Sequence, residues 1–127
     1  MARIEAGEKI IIDGATGTEL ERHGVPQLEN AWNGGGTLSH PEILKQIHKE
    51  YIRAGAEIII SNTFATLKSA LRDAGEEDNF ETYNRRAINL ASEARSGMGA
   101  KDILIAGGIS HWSWSGKYPN LKELRDN

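Results

Sequence analysis

The stretch Glu-Ile-Ile-Ile-Ser-Asn-Thr-Phe at residues 57–64 indicates the fold most clearly, because a short apolar run passes directly into polar residues. Similar apolar runs lie at residues 9–12 and 103–106. Each run is rich in β-branched residues and continuous rather than alternating, which is typical of parallel strands covered on both faces. The sequence therefore predicts three buried strands.

Helical periodicity occupies the intervals between these runs, at residues 41–54, 67–74 and 79–96. Strands that alternate with helices are typical of right-handed parallel β/α units. The predicted fold class is therefore α/β.

The ends of the longer helices carry capping signals. Ser39 and Glu42 have the spacing of a capping box, and Gly55 is expected to end the first long helix. Asp78 and Glu81 are expected to cap the start of the second.

Composition fits one globular domain that spans residues 1–127. The chain is 39% hydrophobic and 26% charged, with a formal charge of −3 and no basic stripe that would indicate nucleic acid. It has no apolar run long enough for a membrane span and no signal-like N-terminus, so a cytoplasmic location is expected. The absence of cysteine removes disulfides, thiolate nucleophiles and cysteine-based metal sites.

The C-terminal part looks incomplete. A helix capped by Asn120 begins at residue 121, and the sequence stops before two turns are finished. Three parallel strands would leave two apolar edges unpaired, and a closed eight-stranded barrel needs about twice this length. We expect the first β/α units of a barrel, completed by a missing C-terminal half or by a second copy in a homodimer.

Polar residues follow the strands at the end where parallel β/α folds bind ligands. Asp13 can hold an ammonium group, and Gly14 allows a ligand to approach the backbone. Ser61, Asn62 and Thr63 are short polar groups suited to an amino-acid carboxylate. In the alternative interpretation, Asp13 caps its own turn and residues 61–63 only cap the βα loop.

Aromatic and histidine residues in the loops are weaker candidates. Trp32, Trp112 and Trp114 could wall a pocket, with core packing as the alternative for Trp32. His111 is the histidine expected nearest the site. The others, His23, His40 and His48, have no metal-ligand spacing, and His40 and His48 are expected to be structural or solvated.

An ordered set of segments resembles the N-terminal part of the homocysteine S-methyltransferase family. The set comprises residues 13–18 (Asp-Gly-Ala-Thr-Gly-Thr), Trp32, residues 40–42 (His-Pro-Glu), His48, Tyr51, residues 54–56 (Ala-Gly-Ala), 61–64 and 106–110 (Ala-Gly-Gly-Ile-Ser). The family includes betaine– and S-methylmethionine–homocysteine methyltransferases and the homocysteine domain of cobalamin-dependent methionine synthase. The resemblance implies a TIM (β/α)8 barrel and methyl transfer to homocysteine in methionine biosynthesis.

The resemblance also implies roles for particular residues. Asp13 and Gly14 would bind the amino-acid end of homocysteine, and Ser61 would begin the segment that helps to hold it. The tryptophan that matches Trp32 lies near the methyl donor in the betaine branch. Asn33 follows it here, so the donor (betaine, S-methylmethionine or methylfolate with cobalamin) does not carry over.

The family's zinc site is the main departure. Family members hold zinc through three cysteines, in an Asn-Cys and a Gly-Gly-Cys-Cys segment, and the metal lowers the thiol pKa of homocysteine. This sequence contains none of those cysteines. We therefore expect the chain alone to be inactive.

Three interpretations follow. The first is part of a methyltransferase barrel, and the second is a non-catalytic half-barrel that dimerises for binding or structure. The third is a different β/α-barrel enzyme that uses Asp13 without a metal. No lysine stands at a strand end for a Schiff base, which disfavours aldolase-like chemistry.

Overall fold

A computed structural model of the protein describes residues 2–111, 113, 115–117 and 120–126. Helices and strands follow in the order α1 (Ala2–Glu5), α2 (Thr16–Arg22), α3 (Gly36–Ser39), α4 (Pro41–Arg53), β1 (Ile58–Ile60), α5 (Lys68–Asp73), α6 (Phe80–Gly97), β2 (Leu104–Ala106) and α7 (Leu121–Asp126). Short 3-10 helices cover Asn33–Gly35 and Glu77–Asn79.

Two of the three predicted strands are confirmed to within one residue. The runs at 57–60 and 103–106 form β1 and β2, which are parallel neighbours with Ile58 opposite Leu104. The connection between them contains α5 and α6. This part of the chain is therefore a parallel β/α unit, as the sequence indicates.

The predicted strand at 9–12 is wrong in extent. The structure reduces it to one parallel bridge between Ile12 and Ile58. The carboxylate of Glu57 accepts the N–H of Ile11 (3.1 Å), and the carbonyl of Ile11 accepts the N–H of both Glu57 and Ile58. The Glu57 carboxylate therefore takes the place of a backbone acceptor for the N–H of Ile11, and the regular strand pairing stops there.

The expectation that the strands are covered on both faces is also wrong. On one face Ile59 is fully buried and packs with Ala56 and Ala91. On the other face Ile12 is 58% exposed and Leu104 is 62% exposed. Successive side chains of a strand point to opposite faces, and α4 and α6 cover only one of them.

The predicted helix at 41–54 is confirmed as α4, but its capping box is wrong. The preceding residues already form α3, so the Ser39 hydroxyl donates to the carbonyl of Gly35 (3.0 Å). Glu42 instead pairs with Lys45 (2.9 Å). The helix begins at Pro41, where the missing N–H costs nothing.

Helix α4 supplies the centre of the core. Leu44, Ile47 and His48 are buried, and the first two pack with Leu20 from α2 and Leu90 from α6. His48 is therefore structural rather than solvated. Gly55 follows the helix with a φ of 101°, a conformation that favours glycine and confirms it as the end signal.

The predicted helix at 79–96 is confirmed as α6, but the expected caps are wrong. A 3-10 turn that includes Asp78 leads directly into the helix, and Glu81 pairs with Arg85 (2.6 Å) instead. Its buried face consists of Tyr83, Ala87, Leu90, Ala91 and Ala94, which the helical period predicts.

The glycine run at residues 34–36 lies in buried helical turns rather than in an open loop. A Cβ on Gly34 would lie 2.9 Å from Cγ2 of Thr66, and one on Gly35 would lie 2.9 Å from Cβ of Leu28. The run therefore allows the chain to pass closely between its neighbours.

Two further predictions are confirmed. The short helix at 67–74 is α5, and Asn120 caps α7 through a hydrogen bond from the N–H of Lys122 to its Oδ1 (3.0 Å). No helix in the described part of the chain has the length and apolar character needed to cross a membrane.

Candidate functional site

A cavity of about 330 Å³ lies beside the carboxyl ends of β1 and β2. Four of the predicted site residues line it: Gly14, Trp32, Ser61 and Asn62. Asp13 and Thr63 are buried next to them in the chain, with 8% and 7% exposure. The structure thus brings all six predicted residues to one region.

Asp13 lies where the bridge between residue 12 and β1 ends. Its N–H donates to the carbonyl of Ile58 (2.9 Å), and its Oδ2 accepts the N–H of Ile60 (2.8 Å). Its Oδ1 is buried without a hydrogen-bond partner. Burial raises the pKa of Asp13 above its usual value, and the bond from Ile60 opposes that shift. One carboxylate oxygen thus extends the sheet, and the other lacks a donor.

Gly14 is packed tightly against α4. A Cβ at this position would lie 2.8 Å from the hydroxyl oxygen of Tyr51. Burial raises the pKa of Tyr51, and the charges of Glu19 and Asp13 act in the same direction. Tyr51 therefore stays a neutral phenol, and its ring occupies the space that a side chain at position 14 would need.

Ser61 and Thr63 direct their hydroxyl hydrogens toward the end of β2. The Ser61 hydroxyl donates to the carbonyl of Ala106 (3.2 Å). The Thr63 hydroxyl donates to the carbonyl of Gly108 (2.8 Å) and accepts the N–H of the same residue (2.9 Å). These hydroxyl groups hold the two strand ends together.

Asn62 directs its amide toward the interior. Nδ2 donates to the carbonyl of Asn33 (2.9 Å) and to the hydroxyl oxygen of Thr37 (3.2 Å). Asn33 in turn donates from Nδ2 to the carbonyl of Gly17 (2.8 Å). This chain of hydrogen bonds joins the first turn of α2 to the loop after β1.

Trp32 forms one wall of the cavity. Its backbone has a φ of 42°, which is rare for a tryptophan and identifies a locally strained turn. A Cβ on Gly17 would lie 2.8 Å from the indole ring, and Nε1 donates to Oε1 of Glu21 (2.8 Å). Trp32 is therefore part of the pocket wall and is held by α2.

Sequence reasoning missed several contributors. Phe64 lines the cavity and is 46% exposed, whereas Asn33 and Thr37 are fully buried behind the cavity wall. The polar residues on either side of the glycine run at 34–36 were the available signal. His111 is exposed, and Trp112 and Trp114 lie outside the described residues.

The residues of this chain do not fit the zinc site that the resemblance implies. That site needs thiolates, and the sequence has no cysteine. Within the described residues, no three histidine, aspartate or glutamate side chains are grouped in a way that could hold a metal ion. We therefore assign no metal ligand to this chain.

Curated proteins similar to this chain are methyltransferases. Homocysteine S-methyltransferase 4 of Zea mays is 36% identical over 92 residues, covering 72% of this chain and 27% of the relative. Betaine–homocysteine S-methyltransferase 1 of Danio rerio is 34% identical over 112 residues, covering 87% of this chain and 27% of the relative. The chain thus spans about a quarter of the length of each relative.

The fold resembles that of a solved methyltransferase. The metallated form of the homocysteine methyltransferase MmuM from Escherichia coli matches 98% of this chain and 43% of its own, with a TM-score of 0.72 and 24% identity. The family model for homocysteine S-methyltransferase matches residues 10–126. The chain therefore belongs to the homocysteine S-methyltransferase family.

Proposed function

We propose that this chain forms the amino-acid-binding part of a methyltransferase that transfers a methyl group to the thiol of homocysteine. In this proposal the strands belong to a (β/α)8 barrel whose remaining units lie beyond the 127 residues, and the protein acts in the cytoplasm. Family membership and the relatives' names support the reaction class.

One observation carries the proposal. Two segments distant in sequence meet beside the strand ends: Gly14, Ser61 and Asn62 line the cavity, and Asp13 and Thr63 are buried next to them in the chain. Asp13 keeps a buried carboxylate oxygen without a donor, and an ammonium group would supply one. A cavity of about 330 Å³ also lies at the lower end of the range for small-molecule sites.

The chain's residues would bind and orient the substrate. Asp13 would fix the amino-acid end, while Trp32 and Phe64 would shield the thiol from water. The thiol sulfur then attacks the methyl carbon of the donor. A sulfur–carbon bond forms, the methyl–donor bond breaks and the thiol proton leaves to solvent. Activation of the thiol is not assigned to any residue described here.

Calorimetric titration of the purified 127-residue chain with L-homocysteine tests the binding step. We expect saturable binding to one site per chain. The same material, assayed for methionine with betaine, S-methylmethionine and methylfolate with cobalamin, is expected to show no methyl transfer and no stoichiometric zinc.

Different results contradict different parts of this proposal. Absence of homocysteine binding by a folded chain would contradict the assigned function. Methionine formation or zinc at one ion per chain would contradict the expected inactivity of the chain alone. L-Alanine, which has the same amino-acid group as homocysteine and lacks the thiol arm, is the control for binding through that group.

A second candidate function has its own structural support. A cavity of about 740 Å³ lies near the amino ends of β1 and β2, lined by Ile4, Ile12 and Leu104, which are 58%, 58% and 62% exposed. Exposed apolar area of this kind is typical of an interaction surface. A second copy of the chain could cover it and form a non-catalytic binding or structural half-barrel dimer.

Solution mass measured by light scattering separates the two candidates when combined with the titration. A stable dimer with no affinity for homocysteine would favour the half-barrel function. A chain that binds homocysteine as a monomer would favour the methyltransferase part.

A further inference from the structure

The orientation of the Asn62 side chain is fixed by its partners. The backbone carbonyl of Asn33 can only accept a hydrogen bond, so the atom 2.9 Å from it must be the amide nitrogen. The second amide hydrogen is directed to the hydroxyl oxygen of Thr37 at 3.2 Å. Asn33 and Thr37 are both fully buried, so this clamp lies behind the cavity wall.

The opposite corner of the amide faces the cavity. Asn62 lines the cavity and is 8% exposed. Among the described residues, Oδ1 of Asn33 and Oδ1 of Asp13 are both fully buried and without a hydrogen-bond partner. Oδ1 of Asn62 is not an atom of this kind. Since both amide hydrogens of Asn62 point inward, its carbonyl oxygen is the polar atom available to a ligand.

The neighbouring hydroxyl groups of Ser61 and Thr63 add no donor on this side. The hydroxyl hydrogens of Ser61 and Thr63 are directed to carbonyls at the end of β2. Asp13 offers only carboxylate oxygens when ionised. The side chains that were expected to suit a carboxylate thus present hydrogen-bond acceptors.

A set of acceptors near a carboxylate matches an ammonium group, which has three donors and a positive charge. We propose that Asn62, held by Asn33 and Thr37, recognises the ammonium group of the amino-acid substrate through its Oδ1. Asn33 and Thr37 are positioning residues in this arrangement. The inference rests on the proposed function. It adds that residues 61–63 contact the ammonium end of homocysteine.

The test compares L-homocysteine with 4-mercaptobutanoate, which has the same thiol and carboxylate but no ammonium group. In Asn62→Ala we expect homocysteine binding to weaken about 10-fold, the usual loss for a hydrogen bond to a charged group. Binding of 4-mercaptobutanoate should stay unchanged. Thr37→Val keeps the side-chain volume and removes one clamp, so it should weaken only homocysteine binding, by about threefold.

Asn84→Ala is the matched control. Asn84 is also a part-buried amide that donates to two carbonyls, those of Thr66 (2.9 Å) and Phe80 (2.8 Å), away from the cavity lining. Its loss should lower stability and leave the ratio of the two dissociation constants unchanged.

A ligand-free measurement protects the test against variants that fail to fold. In wild-type protein, the side-chain NH2 of Asn62 should exchange slowly with solvent in NMR spectra. Exchange at the free rate would overturn the inference, as would equal losses for both ligands in Asn62→Ala when homocysteine still binds. Failure of wild-type protein to bind homocysteine would overturn the proposed function as well, so the two failures are distinguishable.

Discussion

At the scale of single residues, Asp13 combines a structural and a proposed binding role. Its Oδ2 accepts the N–H of Ile60 and thereby continues the sheet, whereas its Oδ1 has no partner. Of the two interpretations drawn from the sequence, the turn cap is wrong, because Oδ2 accepts an N–H from β1 rather than one from the following turn. The role as a ligand for an ammonium group stays a prediction.

Asp13→Asn separates these roles, because the amide oxygen can still accept the N–H of Ile60 while the charge is lost. We expect homocysteine affinity to fall at least about 10-fold.

The raised pKa of Asp13 means that its stabilising contribution is present below the unfolded value of 3.8 and is lost as pH rises through the folded pKa. The variant should therefore gain stability over wild type as pH rises above 3.8. Calorimetry and urea denaturation at several pH values measure both effects, and an unchanged affinity would contradict the binding role.

His48 is the second residue with a measurable consequence. It is fully buried, and neither ring nitrogen has a hydrogen-bond partner. Burial lowers the pKa of His48 from 6.5 to about 4, so the folded protein keeps the ring neutral. Its contribution to stability is therefore present above 6.5 and is lost as pH falls from 6.5 toward about 4.

His48→Leu removes this titration and the two unpartnered nitrogens. Wild type should lose stability relative to the variant by up to about 1.4 kcal/mol per pH unit in that interval. Urea denaturation between pH 7 and pH 4 gives the two slopes. His23→Gln, at an exposed position, is the control and should keep the wild-type slope. Parallel pH curves for wild type and His48→Leu would contradict a buried neutral imidazole.

At the scale of elements, the turns at residues 33–39 determine how the two site loops meet. They carry Asn33 and Thr37, and their glycines let the chain pass against Leu28 and the loop after β1. The loop after β1 is fixed from the other side by Thr66, whose hydroxyl donates to Oδ1 of Asn84 in α6 (2.8 Å).

Gly34→Ala tests this packing. Its Cβ would lie 2.9 Å from Cγ2 of Thr66 and 3.4 Å from the carbonyl oxygen of Ala65, so the loop must shift. We expect a loss of about 1–3 kcal/mol in the free energy of unfolding, as for overpacked cores. Gly97→Ala is the matched control, because its Cβ would meet only Lys49 at 3.7 Å, an ordinary contact. Equal stability of the two variants in thermal or urea denaturation would contradict the close packing of the turn.

The pattern of apolar residues predicted the long elements, because burying one face of a helix or a whole strand imposes that pattern on the sequence. Helix α6 shows its apolar face directly in the sequence, and β1 and β2 appear as continuous apolar runs. The turns at 33–39 were not predicted, because a run of three glycines has low helix propensity and is folded here by its neighbours. The capping box at Ser39 failed for the same reason, since the sequence does not reveal α3.

The site shows the same division. The position of Asp13 and residues 61–63 at strand ends follows from the rule for parallel β/α folds. The direction of each hydrogen bond does not, because it depends on which carbonyls lie nearby in space. The inward amide of Asn62 and the hydroxyls committed to β2 therefore required the structure.

At the scale of the whole molecule, the described residues cover the sheet on one face only. Helices α4 and α6 bury Ile59, whereas Ile12 and Leu104 remain exposed on the opposite face. The same strands thus carry the proposed binding cavity at their carboxyl ends and an apolar surface beside their amino ends. Covering that surface is a requirement separate from binding a ligand.

Leu104→Lys tests whether the apolar surface drives self-association. We expect the variant to stay folded, because Leu104 is 62% exposed, and to associate less than wild type at high protein concentration. Sedimentation equilibrium measures the change. Ile88→Lys, at a 46% exposed position on α6, is the control and should associate like wild type. Equal loss in both variants would point to general solubility rather than to this surface.

In the proposed function, the strand ends hold the amino-acid part of homocysteine. An NMR titration of the labelled 127-residue chain with L-homocysteine tests it most directly. We expect saturable shifts centred on the backbone amides of Gly14, residues 61–64 and Gly108, with Ile4 and Asp102 at the opposite end unaffected. Shifts centred on Ile4 and Asp102, or no shifts in a folded chain, would contradict it.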